Sequence, residues 1–209
     1  MIIRRISKGL SIEAVKEALI QTAPVVINQI NWKDSYPYAP FVSLSLAHDG
    51  DYLYLQYDVS EQNSLVLQDH DFGEIWTDSC VECFIAFGDG YYNLEFNAIG
   101  YGLASWRLSR EEAKEDVSCE IMKKIERYPS LPIETFKEMS LSPWSLFLKV
   151  PKELFFKEKL DTFTGIKAKA NFYKCGDHLS EPHFVSWAPI YTEKPDFHQK
   201  KFFSDVEFE

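Results

Sequence analysis

Five residues in this chain have the types and spacing to grip a ring with apolar faces and polar edges. Trp76 and Trp187 offer flat indole surfaces, while Glu82, Glu95 and Asn97 offer carboxylate and amide groups. Each tryptophan lies in a long stretch with neither strand nor helix periodicity, residues 60–78 and 176–201. Connections of that length are uncommon in a compact domain unless they are functional or disordered. Disordered segments are poor in aromatics. These are not, because they carry Phe72, Trp76, Phe184, Trp187, Tyr191 and Phe197. The reading is two ordered loops that present aromatic faces, with a sugar ring as the common matching ligand.

The carboxylates and amides sit on strand-like runs. In YYNLEFNAI, Tyr92, Leu94, Phe96 and Ala98 alternate with Asn93, Glu95 and Asn97. Period-two alternation puts the first set on a core face and the second on the opposite face. The preceding run, SCVECFIAF, is apolar except for Glu82 between Val81 and Cys83. A charged group is seldom fully buried without a partner, so Glu82 belongs at an edge, in an ion pair or at the rim of a pocket. The GDG turn at Gly88 to Gly90 joins the two runs as a hairpin. That hairpin brings Glu82 close to Glu95 or Asn97, with Trp76 at the strand entry. If both loops close over this face, the indoles sandwich a ring and the polar groups orient it.

The elements that must position these residues read as an all-β, immunoglobulin- or jelly-roll-like β-sandwich with one short N-terminal helix. Helical spacing of Ile12, Val15, Ala18 and Leu19 predicts the helix, so residues 1–22 read as a helical extension packed on the body. PVVINQINW is a strand candidate. FVSLSLAHD and DYLYLQYDVS alternate around Gly50 as a hairpin. GLASWRL, VSCEIMKKI, LPIETF, PWSLFLKVPK and GIKAKANFYKC are further strand candidates. Residues 110–116 fit one helical turn, ELFF a short helix, and FFSDVEF a closing edge strand. With no repeat, low-complexity tract or linker, residues 1–209 read as one domain.

Composition narrows the partners. Of the 209 residues, 45% are hydrophobic and 15% aromatic, which suits a folded core. A net charge of −10, with basic runs no longer than pairs, disfavours nucleic acid and anionic membrane surfaces. No window approaches the roughly 18 apolar residues of a membrane span. The N-terminal segment lacks the pattern of a signal peptide. The expected location is cytoplasmic if none was removed, and secreted or periplasmic if one was. Cys80 and Cys83 sit on opposite faces of one strand, so the cysteines read as buried free thiols.

WTDSCVECFIAF followed by YYNLEFNAIG resembles the core motif of carbohydrate-binding modules of family 9. The closing segments ANFYKCGD, HFVSWAPI and PDFHQKKFFSDVEF are similar to the end of such domains. The likeness runs from about Val25 to Phe208. It implies a β-sandwich that holds a mono- or oligosaccharide at a glycan chain end. Trp76 and Trp187 match the family's stacking tryptophans and Glu82 its ligand-contacting glutamate. Glu95 and Asn97 fall where the family places polar contacts. The resemblance also implies a possible glycoside hydrolase partner in polysaccharide catabolism. It makes structural calcium possible, although no segment matches a calcium site of the family; Asp49, Asp51 and Asp58 are only oxygen-bearing candidates. The family's ligand-contacting arginine has no clear counterpart.

Two other classes compete with non-catalytic binding. Glu82 and Glu95 could be the carboxylate pair of a glycoside hydrolase, whose acids lie about 5–5.5 Å apart in retaining enzymes. Cys80, Cys83, Cys175, His178, His183 and His198 could serve a metal- or redox-binding DOMON-like module. That class needs about four converging ligands.

Overall fold

The computed structural model describes residues 1–140 and 143–209. Its first elements are β1 (Ile2–Arg5), α1 (Ile12–Ile20), β2 (Val25–Val26), β3 (Gln29–Ile30), β4 (Phe41–His48) and β5 (Tyr52–Ser60). Next come β6 (Asn63–Val66), β7 (Cys80–Ala86), β8 (Tyr91–Asn97), β9 (Gly102–Arg107), β10 (Lys114–Asp116) and α2 (Cys119–Met122). The chain ends with β11 (Glu126–Pro129), β12 (Phe136–Ser140), β13 (Trp144–Pro151), β14 (Lys167–Cys175), β15 (Phe184–Ser186) and β16 (Ser204–Phe208).

The fold is an all-β sandwich made by curling one continuous sheet. Its main path is β10-β9-β8-β7-β14-β16-β1-β4-β5-β13-β11. The curl turns at β1. Ile2 and Ile3 pair in parallel with β16, whereas Arg4 and Arg5 pair in parallel with β4. The core fills the space between the two halves. Leu44, Leu55 and Leu146 come from one half, and Val81, Leu94 and Phe172 from the other. This burial drives the fold, since apolar area removed from water is the largest favourable contribution.

Each half has a second face. On the β4-β5-β13 half, Ala47, Tyr54 and Phe147 point outward and α1 covers them with Val15 and Leu19. Ser11 caps α1 by accepting a hydrogen bond from the Ala14 N–H. On the β7-β8-β14 half, the outward residues include Phe84, Tyr91 and Tyr173, packed with Trp32, Phe197 and Phe203 from the covering segments.

Several local expectations change. The segment 1–22 is a sheet strand followed by the helix, so its first residues are integral to the sheet. The run PVVINQINW divides into β2, which pairs with β4, and β3, which pairs with β15. Residues 114–116 form an edge strand on β9 instead of a helical turn. The run VSCEIMKKI contains α2, because Ser118 accepts from the Ile121 N–H and starts a helix there. FFSDVEF is an internal strand between β14 and β1, because the N-terminal strand covers its edge.

A buried ion pair locks the end of β14. Lys174 Nζ lies 2.7 Å from Glu61 Oε2, and both side chains are fully buried. Lys174 also donates to Cys175 O and to His183 Nε2, at 2.7 and 2.8 Å. Glu61 Oε1 accepts from Trp144 Nε1 at 2.6 Å and Ser64 Oγ at 3.0 Å. Desolvation, the largest single influence, works to raise the Glu61 pKa, but the Lys174 charge and the hydrogen bonds Glu61 accepts together outweigh it, and the net direction is down. Burial, then the Lys174 charge, pushes His183 down to about 3, so its imidazole is neutral. In that state Nε2 accepts from lysine while Nδ1–H donates to Glu181 O. Removing one partner strands a buried charge. Glu61→Ala is expected to destabilise by about 3–5 kcal/mol in urea unfolding. Lys174→Met combined with Glu61→Gln should lose clearly less than the sum of the singles. Additivity within about 0.5 kcal/mol would remove the coupling claimed here.

Candidate functional site

The outward face of β7, β8, β9 and β14 carries the polar residues. In the antiparallel register Tyr173 lies opposite Glu82, Glu82 opposite Glu95, and Glu95 opposite Leu103. The next row along the strands is Cys175, Cys80 and Asn97. On the other side is the row Asn171, Phe84, Asn93 and Ser105. Directly opposite residues share a face, so the register alone assembles this surface.

A pocket of about 450 Å³ opens above it. Glu82, Glu95, Leu103 and Cys175 line the floor, Arg107 and Lys114 one side, and Trp76, Asp177, Phe184 and Phe197 the loops. Trp76 is 39% exposed, so its indole is free to meet a ligand. Glu82 and Glu95 are buried at 3% and 5% exposure.

Internal hydrogen bonds hold both loops over the floor. Asp78, next to the Trp76 turn, accepts from the Leu67 and Gln68 N–H groups and from Asn97 Nδ2, each at 3.0 Å. The Trp76 carbonyl accepts from the Asp177 N–H at 3.2 Å, and the Cys175 sulfur lies 3.6 Å from the same oxygen. On the other loop, Asn171 exchanges two hydrogen bonds with the Ala188 backbone. The Tyr173 ring stacks on Phe197 at 4.2 Å, and its hydroxyl donates to Phe197 O. Neither stretch is featureless. The first contains β6, which pairs with β12, and the second contains β15, which pairs with β14 and β3.

The structure brings Trp76, Glu82 and Glu95 together at the pocket. It places Trp187 and Asn97 elsewhere. Ser186 is opposite Tyr173, so the following residue turns to the other face. Trp187 there donates its backbone N–H to Phe172 O, and its ring packs on Phe172 with centroids 5.5 Å apart, against the inner core. Asn97 is fully buried, with its amide donating to Gln68 O and Asp78 and its oxygen accepting from the Tyr101 N–H. It positions the Trp76 loop. The sequence marks Phe184 and Phe197 as loop aromatics without assigning them to the pocket, and it does not single out Arg107. Strand alternation does carry a signal for Arg107, which lies opposite Tyr91 on the outward side of β8.

The candidate metal donors also sort themselves. Asp49 is spent on the β4–β5 turn, accepting from the Asp51 and Tyr52 N–H groups and the Tyr54 hydroxyl. Asp51 pairs with Lys8 and Lys152, and Asp58 accepts from Gln56. Among the described residues, these three aspartates do not converge on one cation position. Cys83 faces the core, whereas Cys80 and Cys175 sit on the pocket side.

Burial dominates the electrostatics. Desolvation raises Glu82 well above the usual carboxylate range, and Cys175 and Glu95 nearby add to it. Glu95 is pushed up to about 7 by desolvation, against a hydrogen bond from Asn93 and the positive charge of Arg107. Asn93 Nδ2 donates to Glu95 Oε1 at 2.8 Å, while Asn93 Oδ1 accepts from Ser105 Oγ at 2.6 Å. Asp177 is raised to about 6 by burial. The floor thus holds oxygen groups poised to exchange hydrogen bonds with hydroxyls.

The sequence model of carbohydrate-binding family 9 matches residues 13–208, so the chain belongs to that family. A crystal structure of a candidate carbohydrate-binding protein from Bacteroides uniformis ATCC 8492 is 36% identical. It superposes with a TM-score of 0.94 over 100% of this chain and 98% of that one. A family 9 module from Caldicellulosiruptor kristjanssonii in complex with glucose is 11% identical, with a TM-score of 0.61 over 100% of this chain and 96% of that one. One in complex with cellotriose, from the same organism, is 10% identical, with a TM-score of 0.60 and coverage of 100% and 93%. At that identity the two sugar complexes establish a shared fold. No curated protein matches the chain.

The raised Glu95 pKa has a signed consequence. Folded Glu95 keeps its proton up to about pH 7, whereas the unfolded carboxylate loses it near pH 4.3. Its contribution to stability is therefore present below the unfolded value and lost as pH rises to about 7. The melting temperature of Glu95→Gln, relative to the unsubstituted protein, should climb across that window and level off above it. A difference independent of pH would show that Glu95 is not held protonated by burial.

Proposed function

We propose that the pocket binds a mono- or oligosaccharide without catalysis. Carbohydrate binding itself accords with family membership. The finer reading rests on one observation, the exposed Trp76 ring beside the cross-strand pair Glu82 and Glu95 in one pocket. In this reading Trp76 stacks on the apolar face of a sugar ring. Phe184 and Phe197 supply the remaining apolar wall, and the two carboxyl groups bond the ring hydroxyls. Arg107 donates from the side. Trp187 and Asn97 act indirectly, by fixing the core and the Trp76 loop. The resemblance to family 9 extends the proposal to polysaccharide catabolism, with a glycoside hydrolase as the partner class.

Titration with glucose, xylose and their β-1,4-linked oligomers, followed by tryptophan fluorescence and calorimetry, tests this directly. Trp76→Ala should weaken binding by about 1.5–3 kcal/mol, the value of burying a large apolar side chain. Glu95→Ala should cost about 1–3 kcal/mol through unmade hydrogen bonds. Trp187→Phe should leave affinity nearly unchanged. Equal losses in Trp187→Phe and Trp76→Ala would contradict the assignment of the pocket.

A second reading, a retaining glycoside hydrolase, draws on the register that sets Glu82 opposite Glu95. Cross-strand Cβ atoms lie roughly 4.5–5.5 Å apart, close to the spacing such enzymes use. Release of the chromophore from aryl glycosides, abolished in Glu82→Gln, would favour it over simple binding.

A further inference from the structure

One cluster on the pocket floor has a chemistry that sugar binding does not require. Cys80 and Cys175 face each other across the β7–β14 pair, and Glu82 follows on the same face of β7. Their sulfur and carboxylate oxygen atoms lie within 4.8 Å of one another, and all three residues are buried. The Cys175 thiol donates to Glu82 Oε1 at 3.1 Å. Glu82 and Cys175 line the pocket, so the cluster lies just beneath its floor. Among the described residues, no lysine or arginine forms an ion pair with Glu82, Glu95 or Asp177, whose carboxyl groups surround this position.

We propose that Cys80, Glu82 and Cys175 form a three-ligand site for a thiophilic divalent cation of the zinc class. Two thiolates and a carboxylate are a borderline-soft donor set, and thiolates favour zinc over calcium or magnesium. Zinc–sulfur and zinc–oxygen bonds of about 2.3 and 2.0–2.2 Å put ligand atoms of one tetrahedral site within 4 Å of each other. The observed cluster needs only side-chain adjustment to reach that. The ion takes the place of the thiol and carboxyl protons, which leave to solvent. Its fourth position faces the pocket, where water or a ligand oxygen completes the tetrahedron. The two thiols come from distant parts of the sequence. The CxxC formed by Cys80 and Cys83 contributes only its first cysteine, because the second faces the core.

The test uses the full-length, reduced protein, stripped with a chelator and without sugar, so its outcome is independent of carbohydrate binding. Zinc is titrated against a chromophoric chelator, and proton release is measured in weak buffer. One equivalent should bind with release of protons. Cobalt(II) should give thiolate charge-transfer absorption together with intense visible bands of tetrahedral geometry. Cys80→Ser, Cys175→Ser and Glu82→Gln should each weaken zinc by roughly tenfold or more. Cys119→Ser, at the exposed cysteine, should not. If a serine variant fails to fold, the cobalt spectrum of the unsubstituted protein and the Glu82→Gln titration still decide. No stoichiometric zinc, octahedral cobalt without sulfur absorption, or zinc retained in all three variants would overturn the site. A Cys80–Cys175 disulfide that persists under mild reductant would overturn it too.

Discussion

The register between β7 and β8 is the constraint on which the candidate site rests. Side chains alternate along a strand, so a one-residue slip of β7 would send Glu82 into the core and bring Cys83 out, and the same slip of β8 would exchange Glu95 and Leu94. The core prevents that slip, because Val81, Ile85, Leu94 and Phe96 fill the space between the two halves of the sheet. Hydrophobic burial on one face therefore fixes the carboxyl pair on the other. Gly102 makes the arrangement tighter. A Cβ there would lie 2.5 Å from the Glu95 carbonyl and 2.4 Å from the Phe96 ring, so β9 approaches β8 closely at the Phe96 row, next to the row that carries Glu95.

Much of this was legible before any coordinates. The alternation of Tyr92, Leu94, Phe96 and Ala98 against Asn93, Glu95 and Asn97 defines the two faces, and the inner set is buried together. The GDG turn sets the hairpin, and the lone Glu82 in an apolar run marks a residue that needs an edge, a charged partner or a pocket. What alternation could not supply is the tertiary pairing of segments far apart in sequence. It did not show that β15 docks on β14 so that Ser186 and not Trp187 faces the pocket side. Nor did it show that Asn97 is consumed in bracing Asp78. Short elements also escaped it. The two-residue strands β2 and β3 hold too few residues for a period, and a serine cap overrode the β-branched look of the α2 segment.

The two buried charge clusters near β14 are built in opposite ways. Lys174 and Glu61, one of each sign, satisfy each other on the core side of the strand end, where no ligand is needed. Lys174 is adjacent to Cys175, yet its ammonium turns away from the pocket, as strand alternation requires. On the outward side, Glu82, Glu95 and Asp177 are all raised by desolvation, and among the described residues none of the three is in an ion pair, although Arg107 and Lys114 line the same pocket. One cluster is closed and the other is left open to a partner.

That openness has an energetic cost with a functional direction. Buried carboxyl groups that share a pocket stabilise their protonated forms, and this weakens the folded state as pH rises. A ligand that brings hydroxyl donors, or a cation, supplies the missing partners and stabilises the folded state by mass action. The Asn93–Ser105 chain aims Glu95, and the Cys175 thiol aims Glu82, before any ligand arrives. Fixed orientation lowers the entropy lost on binding. The sheet thus trades some intrinsic stability for a floor of preset polar groups. The loop hydrogen bonds to Asp78, Asn97 and Asn171 keep the aromatic walls above that floor.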